Sequence, residues 1–310
     1  MYVATRSRLN CFCGFVIAVV IIIIEATMAE GSGSFLNQDG LTIFTRNWLA
    51  DRNAKAVVFI SHGITEHSGR FRKLATFLQE RHFNVYSHDH VGHGQSEGAR
   101  IHVDNYQTYV RDVMQHLEII KTKHPDLPLF VIGESMGGLI TALTVIERPQ
   151  LLTGVVLSAP TILDDRATSF QVTLLRIVAC CLPHYEVLPE NPYALSTLFE
   201  EVQERHNDPL VYHHGIKARW TMATINAQRL IQRRVPEIQI PFLTLHGTAD
   251  LVVNISSSYF LMEHTKSEDK MIKVFEGSRH GIFHDKDQEQ AKLVVLEWLN
   301  NHCNSTNRIV

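Results

Sequence analysis

The chain is 310 residues long, 45% hydrophobic, with a formal net charge of −3, enough for one sizeable domain with a buried core. No basic run accompanies that charge, so a nucleic-acid partner is not expected. Two of the five cysteines, Cys11 and Cys13, lie in an apolar segment, and the odd remainder, Cys180, Cys181 and Cys303, forms no disulfide framework.

At the amino terminus Arg6 and Arg8 precede the apolar run Cys11 to Ile24, 14 residues long. That is short for a bilayer span and within the range of a signal-peptide core. Residues 1–29 therefore read as a signal peptide, with an imperfect cleavage site at Thr27 and Ala29, or as a retained anchor or tether. If retained as an anchor, the flanking charges (Arg6 and Arg8 before, Glu25 and Glu30 after) favour a cytosolic amino terminus. Membrane association is the expectation, with entry into the secretory pathway as an option and the compartment of the catalytic domain open. Residues 30–310 should then form the folded domain, with sequons at Asn254 and Asn304 that permit glycosylation.

Strands are predicted at Leu41 to Asn47, Ala56 to Ser61, Asn84 to Asp89, Leu129 to Ile132, Gly154 to Ser158, Pro241 to His246 and Met271 to Phe275. Helical patterns alternate with several of them. One is Tyr106 to Lys121, where Tyr106, Tyr109, Val113, Leu117 and Ile120 form an apolar stripe. The expected fold class is α/β, a mostly parallel sheet covered by helices on both faces. Its core falls in two blocks, about 35 to 160 and 236 to 302. Residues 161–235 between them lack strand rhythm and read as an inserted helical cap. The first cap helix, about Ser169 to Leu182, is apolar on more than one face. One face suits packing on the core and another suits a lid that docks on a membrane.

The hexapeptide Gly133, Glu134, Ser135, Met136, Gly137, Gly138 follows the buried-strand run Leu129 to Ile132 and precedes a helical run that Arg148-Pro149 stops. This is the strand, turn and helix setting that a GxSxG nucleophile elbow requires. A nucleophilic serine needs a base, an acid to orient the base, and donors for the oxyanion. Asp250 and His280 each follow an apolar strand and a Gly-bearing loop, in the chain order Ser, Asp, His. The catalytic residues expected are therefore Ser135, Asp250 and His280. The backbone N–H of Met136, just past the serine, is one expected oxyanion donor. The second is that of Ile64, in the loop Ser61-His62-Gly63-Ile64 after an early strand.

The stretches HGITEHSGRF (His62 to Phe71), HDHVGHGQSEG (His88 to Gly98), GESMGG, HGTAD (His246 to Asp250) and KVFEGSRH (Lys273 to His280) together resemble the monoacylglycerol lipase family, in register over about residues 35 to 300. The resemblance implies an α/β-hydrolase that cleaves monoacylglycerols, 2-arachidonoylglycerol among them, to a fatty acid and glycerol, without a cofactor. It also implies that Glu66 and Arg70, with His284, line the polar pocket for the glycerol head group. A lysophospholipase, another esterase or an acyltransferase on the same fold is the alternative.

Glu134 departs from the family pattern, standing where such lipases usually carry His. Val253 occupies the place of a cysteine, and His206 that of a tyrosine. The histidines around Asp89 (His88, His90 and His93) lack a metal-ligand spacing and match a structural loop of the family, so no metal is expected there. His213 and His214 read as solvent-facing cap residues.

Overall fold

The computed structural model describes residues 30–51, 53–164 and 168–303. The amino-terminal apolar run and the sequon at Asn304 lie outside the described residues. Eight strands form one sheet: β1 (Glu30–Leu36), β2 (Thr42–Trp48), β3 (Ala56–Ser61), β4 (Phe83–His88), β5 (Leu129–Glu134), β6 (Gly154–Ser158) and, after a separate antiparallel pair of β7 (Glu186–Leu188) and β8 (Ile216–Lys217), β9 (Phe242–Gly247) and β10 (Lys270–Phe275). Their order across the sheet is β1-β2-β4-β3-β5-β6-β9-β10. β2 runs antiparallel to its neighbours β1 and β4, and the pairs from β4 to β10 are parallel.

Strand alternation divides the core in two. On β3, Val57 and Phe59 face one side while Ala56, Val58 and Ile60 face the other; on β5, Leu129 and Val131 oppose Phe130 and Ile132. Both faces are buried, so these strands read as continuous apolar runs. The eight α-helices among the described residues are α1 (Arg72–Gln79), α2 (Gln107–Lys123), α3 (Met136–Glu147), α4 (Ser169–Cys181), α5 (Phe199–His206), α6 (Ala218–Arg234), α7 (Ser256–His264) and α8 (Gln288–Cys303). Residues of α2, α3 and α6 join the first core cluster, and residues of α1 and α8 join the second. This is the α/β-hydrolase fold.

The insertion between β6 and β9 carries α4, α5 and α6. α4 is started by a capping box, with Thr168 accepting from the N–H of Gln171 and the Gln171 side chain reaching back. It packs through Val172 and Ala179 on Ala218, Met222 and Ile225 of α6. The outer face stays in solvent, with Phe170 78% exposed and Ile177 58% exposed.

Two features differ from the sequence expectation. β1 begins at Glu30, five residues before the expected start of the core; its sequence EGSGSFL has no apolar alternation, and its register comes from pairing with β2. The insertion, expected to be helical throughout, also contains the antiparallel pair of β7 and β8, whose strands are three and two residues long and too short to show a period of two.

Candidate active site

Parallel pairing sets the site. Ser61 at the end of β3 lies opposite Gly133 of β5, and Glu134 opposite Ser158 of β6. The loops after β3, β5, β9 and β10 therefore leave the same edge of the sheet, the carboxyl edge where open α/β sheets place their sites. Ser135 sits between β5 and α3 at φ 55° and ψ −115°. A non-glycine residue there is strained by about 1–3 kcal/mol, which the surroundings must hold. Close packing on both sides does so. A Cβ on Gly133 would fall 2.4 Å from the Gly137 carbonyl oxygen, and one on Gly137 only 2.0 Å from that of Ser61, so neither position accepts a side chain without movement.

The structure brings Ser135, His280, Ile64, Met136, Glu66, Arg70 and His284 to one cavity of about 920 Å³. Asp250 lies behind His280, its Oδ2 accepting from His280 Nδ1 at 2.7 Å. The other carboxylate oxygen accepts from the N–H groups of Val252 at 2.7 Å and Val253 at 2.9 Å, and His246 Nε2 lies 3.2 Å from Oδ2. Burial would raise the Asp250 pKa, but the His280 ring and these hydrogen bonds outweigh it and hold the carboxyl well below the usual carboxylate range. His280 is thus fixed with Nδ1–H toward Asp250. Its Nε2 is buried without a hydrogen-bond partner among the described residues. Ser135 Oγ lies 3.4 Å from Thr161 Oγ1, a neighbour that nothing in the sequence pointed to.

The two expected oxyanion donors belong to peptide groups clamped through their carbonyl ends. The Ser135 carbonyl, which shares a peptide with the Met136 N–H, accepts from the N–H groups of Gly138 at 3.0 Å, Thr161 at 3.2 Å and Leu139 at 3.3 Å. The Gly63 carbonyl, which shares a peptide with the Ile64 N–H, is bonded to His62 Nδ1 at 2.7 Å. His62 Nε2 must accept, because the backbone N–H of His90 donates to it at 3.0 Å. That places the imidazole proton on Nδ1 and makes it the donor to Gly63. Burial lowers the His62 pKa despite Asp89 and Glu66 nearby, so the ring is held in this neutral tautomer.

Behind the loop the histidines bond to one another. His88 Nδ1 meets His116 Nδ1 at 3.2 Å, His88 Nε2 meets His90 Nδ1 at 3.1 Å, and His90 Nε2 meets Ser61 Oγ at 3.1 Å. Burial first, then the neighbouring rings, pushes His88 and His90 well below the ordinary histidine range and His93 down to about 3, and burial with Lys123 lowers His116 to about 3. They are neutral packing and hydrogen-bonding groups. His213 and His214 are exposed on the cap.

At the other end of the cavity is a charged cluster that sequence reading found only in part. Arg205 of α5 is buried; it pairs with Glu190, donates from Nη2 to Thr65 Oγ1 at 2.7 Å, and approaches Glu66 Oε1 at 3.8 Å. Glu201 lies 3.6 Å from Arg70 Nη2, 3.5 Å from His284 Nδ1 and 2.7 Å from Lys73 Nζ. Glu134 points into the same cluster. Burial, then Glu66 beside it, raises the Glu134 pKa well above the carboxylate range against the pull of Arg70, so Glu134 is protonated. Burial also opposes charge on Glu66, but His284, Arg70 and Arg205 outweigh it and keep Glu66 ionised.

The model for the family described as serine aminopeptidase, S33 (Hydrolase_4) matches residues 52–287. The chain belongs to this family of hydrolases. It is 40% identical to monoglyceride lipase of Homo sapiens over 264 residues, covering 84% of this chain and 87% of that protein. It is 29% identical to monoacylglycerol lipase of Mycolicibacterium smegmatis over 280 residues, 90% of this chain and 99% of the other. Among solved structures, that of Paleococcus ferrophilus monoacylglycerol lipase superposes with a TM-score of 0.75 at 29% identity, over 84% of this hydrolase and 99% of that chain.

Proposed function

We propose that this hydrolase cleaves monoacylglycerols, 2-arachidonoylglycerol among them, to a free fatty acid and glycerol through an acyl-enzyme at Ser135. The observation that carries the proposal is the division of one cavity. Leu174, Leu175, Val178 and Ile225 of the cap wall one part and suit an acyl chain, while Glu66, Arg70 and His284 wall another and suit a small polyol. Ser135 and His280 open on the same space. The similarity to monoglyceride lipases of other organisms supports the same substrate.

In the proposed mechanism Ser135 Oγ attacks the ester carbonyl and gives its proton to His280 Nε2. Asp250 stabilises the imidazolium. The new oxyanion accepts from the N–H groups of Ile64 and Met136, each worth about 3 kcal/mol of barrier. Collapse returns the proton from His280 to the departing glycerol oxygen, and water repeats the sequence on the acyl-enzyme. No cofactor or metal takes part.

A lipid substrate has to be drawn from a membrane or micelle. No helix among the described residues is long and apolar enough to cross a membrane. The exposed Phe170, Ile177, Leu182 and Tyr185 at and after α4 instead supply an apolar surface that dips into the interface and delivers the acyl chain to the cavity. Residues 1–29, where retained as an anchor, hold the catalytic domain at that surface. Labelling with a fluorophosphonate tests the site. Covalent modification is expected at Ser135 alone and slowed by saturating monoacylglycerol; modification at another serine, or no protection, contradicts the assignment.

A further inference from the structure

Among the buried atoms at the polar end of the cavity that have no hydrogen-bond partner among the described residues are Glu66 Oε2, Glu134 Oε2 and His284 Nε2, beside Glu201 Oε2, Arg70 Nε and Arg205 Nε, whose side chains belong to the ion pairs described above. Glu66, Glu134 and His284 are each at least nine-tenths buried. One ligating atom from each of these three residues lies within 4.8 Å of the others. A buried oxygen or ring nitrogen left unpaired costs about 1–3 kcal/mol, so three residues that each carry one and bring ligating atoms this close mark a place suited to something that accepts lone pairs.

We propose that Glu66, Glu134 and His284 form a binding site for a single divalent transition-metal ion of the zinc type, a site for reversible inhibition. Three features favour a cation over a polar organic group. The donor set, two carboxylates and one imidazole, is an ordinary set for zinc at about 2.0–2.2 Å. His284 has the support that metal-bound histidines carry, its Nδ1 facing Glu201 at 3.5 Å while Nε2 has no hydrogen-bond partner among the described residues. Glu201 is in turn held by Lys73 at 2.7 Å. The charge also fits. The carboxyls of Glu66, Glu134, Glu190 and Glu201 face the guanidiniums of Arg70 and Arg205, and the rim ammonium of Lys73 is matched by exposed Glu204. Glu134, protonated without the ion, releases its proton on binding; with all four carboxyls then ionised the excess is two negative charges, which one divalent ion cancels. Closing the site requires small side-chain rotations that draw the three donors together.

The second carboxylate departs from the resemblance drawn above, because Glu134 stands where the related lipases usually carry His. An ion there occupies the space assigned above to the glycerol head group, beside Ser135. If that assignment is right, the ion competes with substrate; binding of the ion does not depend on it.

The test is calorimetric titration of the full chain with zinc chloride, without substrate, after treatment with a chelator. One tight site is expected in the wild type. It should be lost, or weakened at least tenfold, in Glu134→Gln and His284→Gln, and in Glu66→Gln as a second carboxylate variant. His280→Ala should retain it, which separates this site from zinc held by the Asp250 and His280 pair. Thermal melting shows which variants are folded, and only folded ones count. Absence of a tight site in the wild type, or equal binding by the folded Glu134→Gln and Glu66→Gln proteins, overturns the proposal. In a parallel arm, zinc should raise the apparent KM for monoacylglycerol, reversibly on adding chelator. Tight binding with no effect on KM would leave the metal site standing and contradict the head-group assignment instead.

Discussion

Ser135 gains its exposure from a backbone that few residues tolerate, and the groups around it show how much of the site is held from behind. His62 is the clearest case. Its ring touches neither Ser135 nor His280 in any bonded contact, yet its Nδ1–H fixes the Gly63 carbonyl at 2.7 Å and so the direction of the Ile64 N–H. His62→Phe removes that donor and also strands the His90 N–H. The expected result is a fall in kcat of about 10–100-fold with KM nearly unchanged, since an oxyanion donor acts on the transition state. His62→Asn carries an amide N–H at the position of Nδ1 and should recover part of the loss. Equal loss in both variants, or a change confined to KM, would contradict a positioning role.

Another residue, Asp112, makes a prediction about stability alone. It is 1% exposed in α2, accepts from Asn37 Nδ2 at 3.2 Å, and burial raises its pKa from 3.8 to about 7. Between those values the unfolded chain has released the proton and the folded one has kept it, so folding stability falls as pH rises from about 4 to 7. The loss is of the order of ~4 kcal/mol at most. Asp112→Asn should therefore match the wild type near pH 4 and melt at a higher temperature at pH 8. Thermal melts at the two pH values decide it; a gain at pH 4 that vanishes at pH 8 would reverse the sign.

At the scale of elements, the close approach of α3 to the end of β3 couples the elbow to the oxyanion loop. Gly137→Ala places a methyl group 2.0 Å from the Ser61 carbonyl oxygen, and because both partners are backbone, one of the two elements must shift. A destabilisation of about 2–3 kcal/mol is expected, with a loss of kcat, measured as a lower melting temperature and slower turnover of a soluble ester. α4 makes the opposite kind of prediction. Phe170 and Ile177 lie outside the lining of the cavity and are exposed, so the double variant Phe170→Ser, Ile177→Ser should keep its turnover of a soluble short-chain ester and bind phospholipid vesicles several-fold more weakly. Unchanged vesicle binding would show that α4 is not the docking surface.

The elements also show what the chain reveals by itself. The strand, elbow and helix from Leu129 to Glu147 could be read directly, because the apolar run, the two glycines and the helical spacing are adjacent in sequence. Asp250 and His280 could be read because each follows an apolar strand and a Gly-bearing loop in the expected chain order. Thr161, Glu190, Glu201 and Arg205 could not. They reach the cavity from the insertion, whose placement depends on long-range packing, and a glutamate or arginine on a helix such as α5 looks like any solvated residue until the partner it meets is known. Glu134 was visible as a departure from the family pattern, but its protonated state follows from Glu66 and burial, neither of which periodicity reports. β1 was missed because Gly and Ser carry no alternation.

At the scale of the whole molecule, the sheet supplies a rigid edge on which four loops converge, and the insertion closes over it with an apolar wall inside and an apolar face outside. Under the proposed function, that arrangement joins a membrane surface, an acyl chain and a polar head group at one serine. The direct measurement is release of glycerol and fatty acid from a monoacylglycerol by the full chain in mixed micelles, beside a lysophosphatidylcholine of the same acyl chain and beside the Ser135→Ala protein. Turnover of the monoacylglycerol well above that of the lysophospholipid, reduced by at least about 10⁴-fold in Ser135→Ala, is the expected result. Turnover of the lysophospholipid alone, or monoacylglycerol turnover that survives loss of the Ser135 hydroxyl, would contradict it.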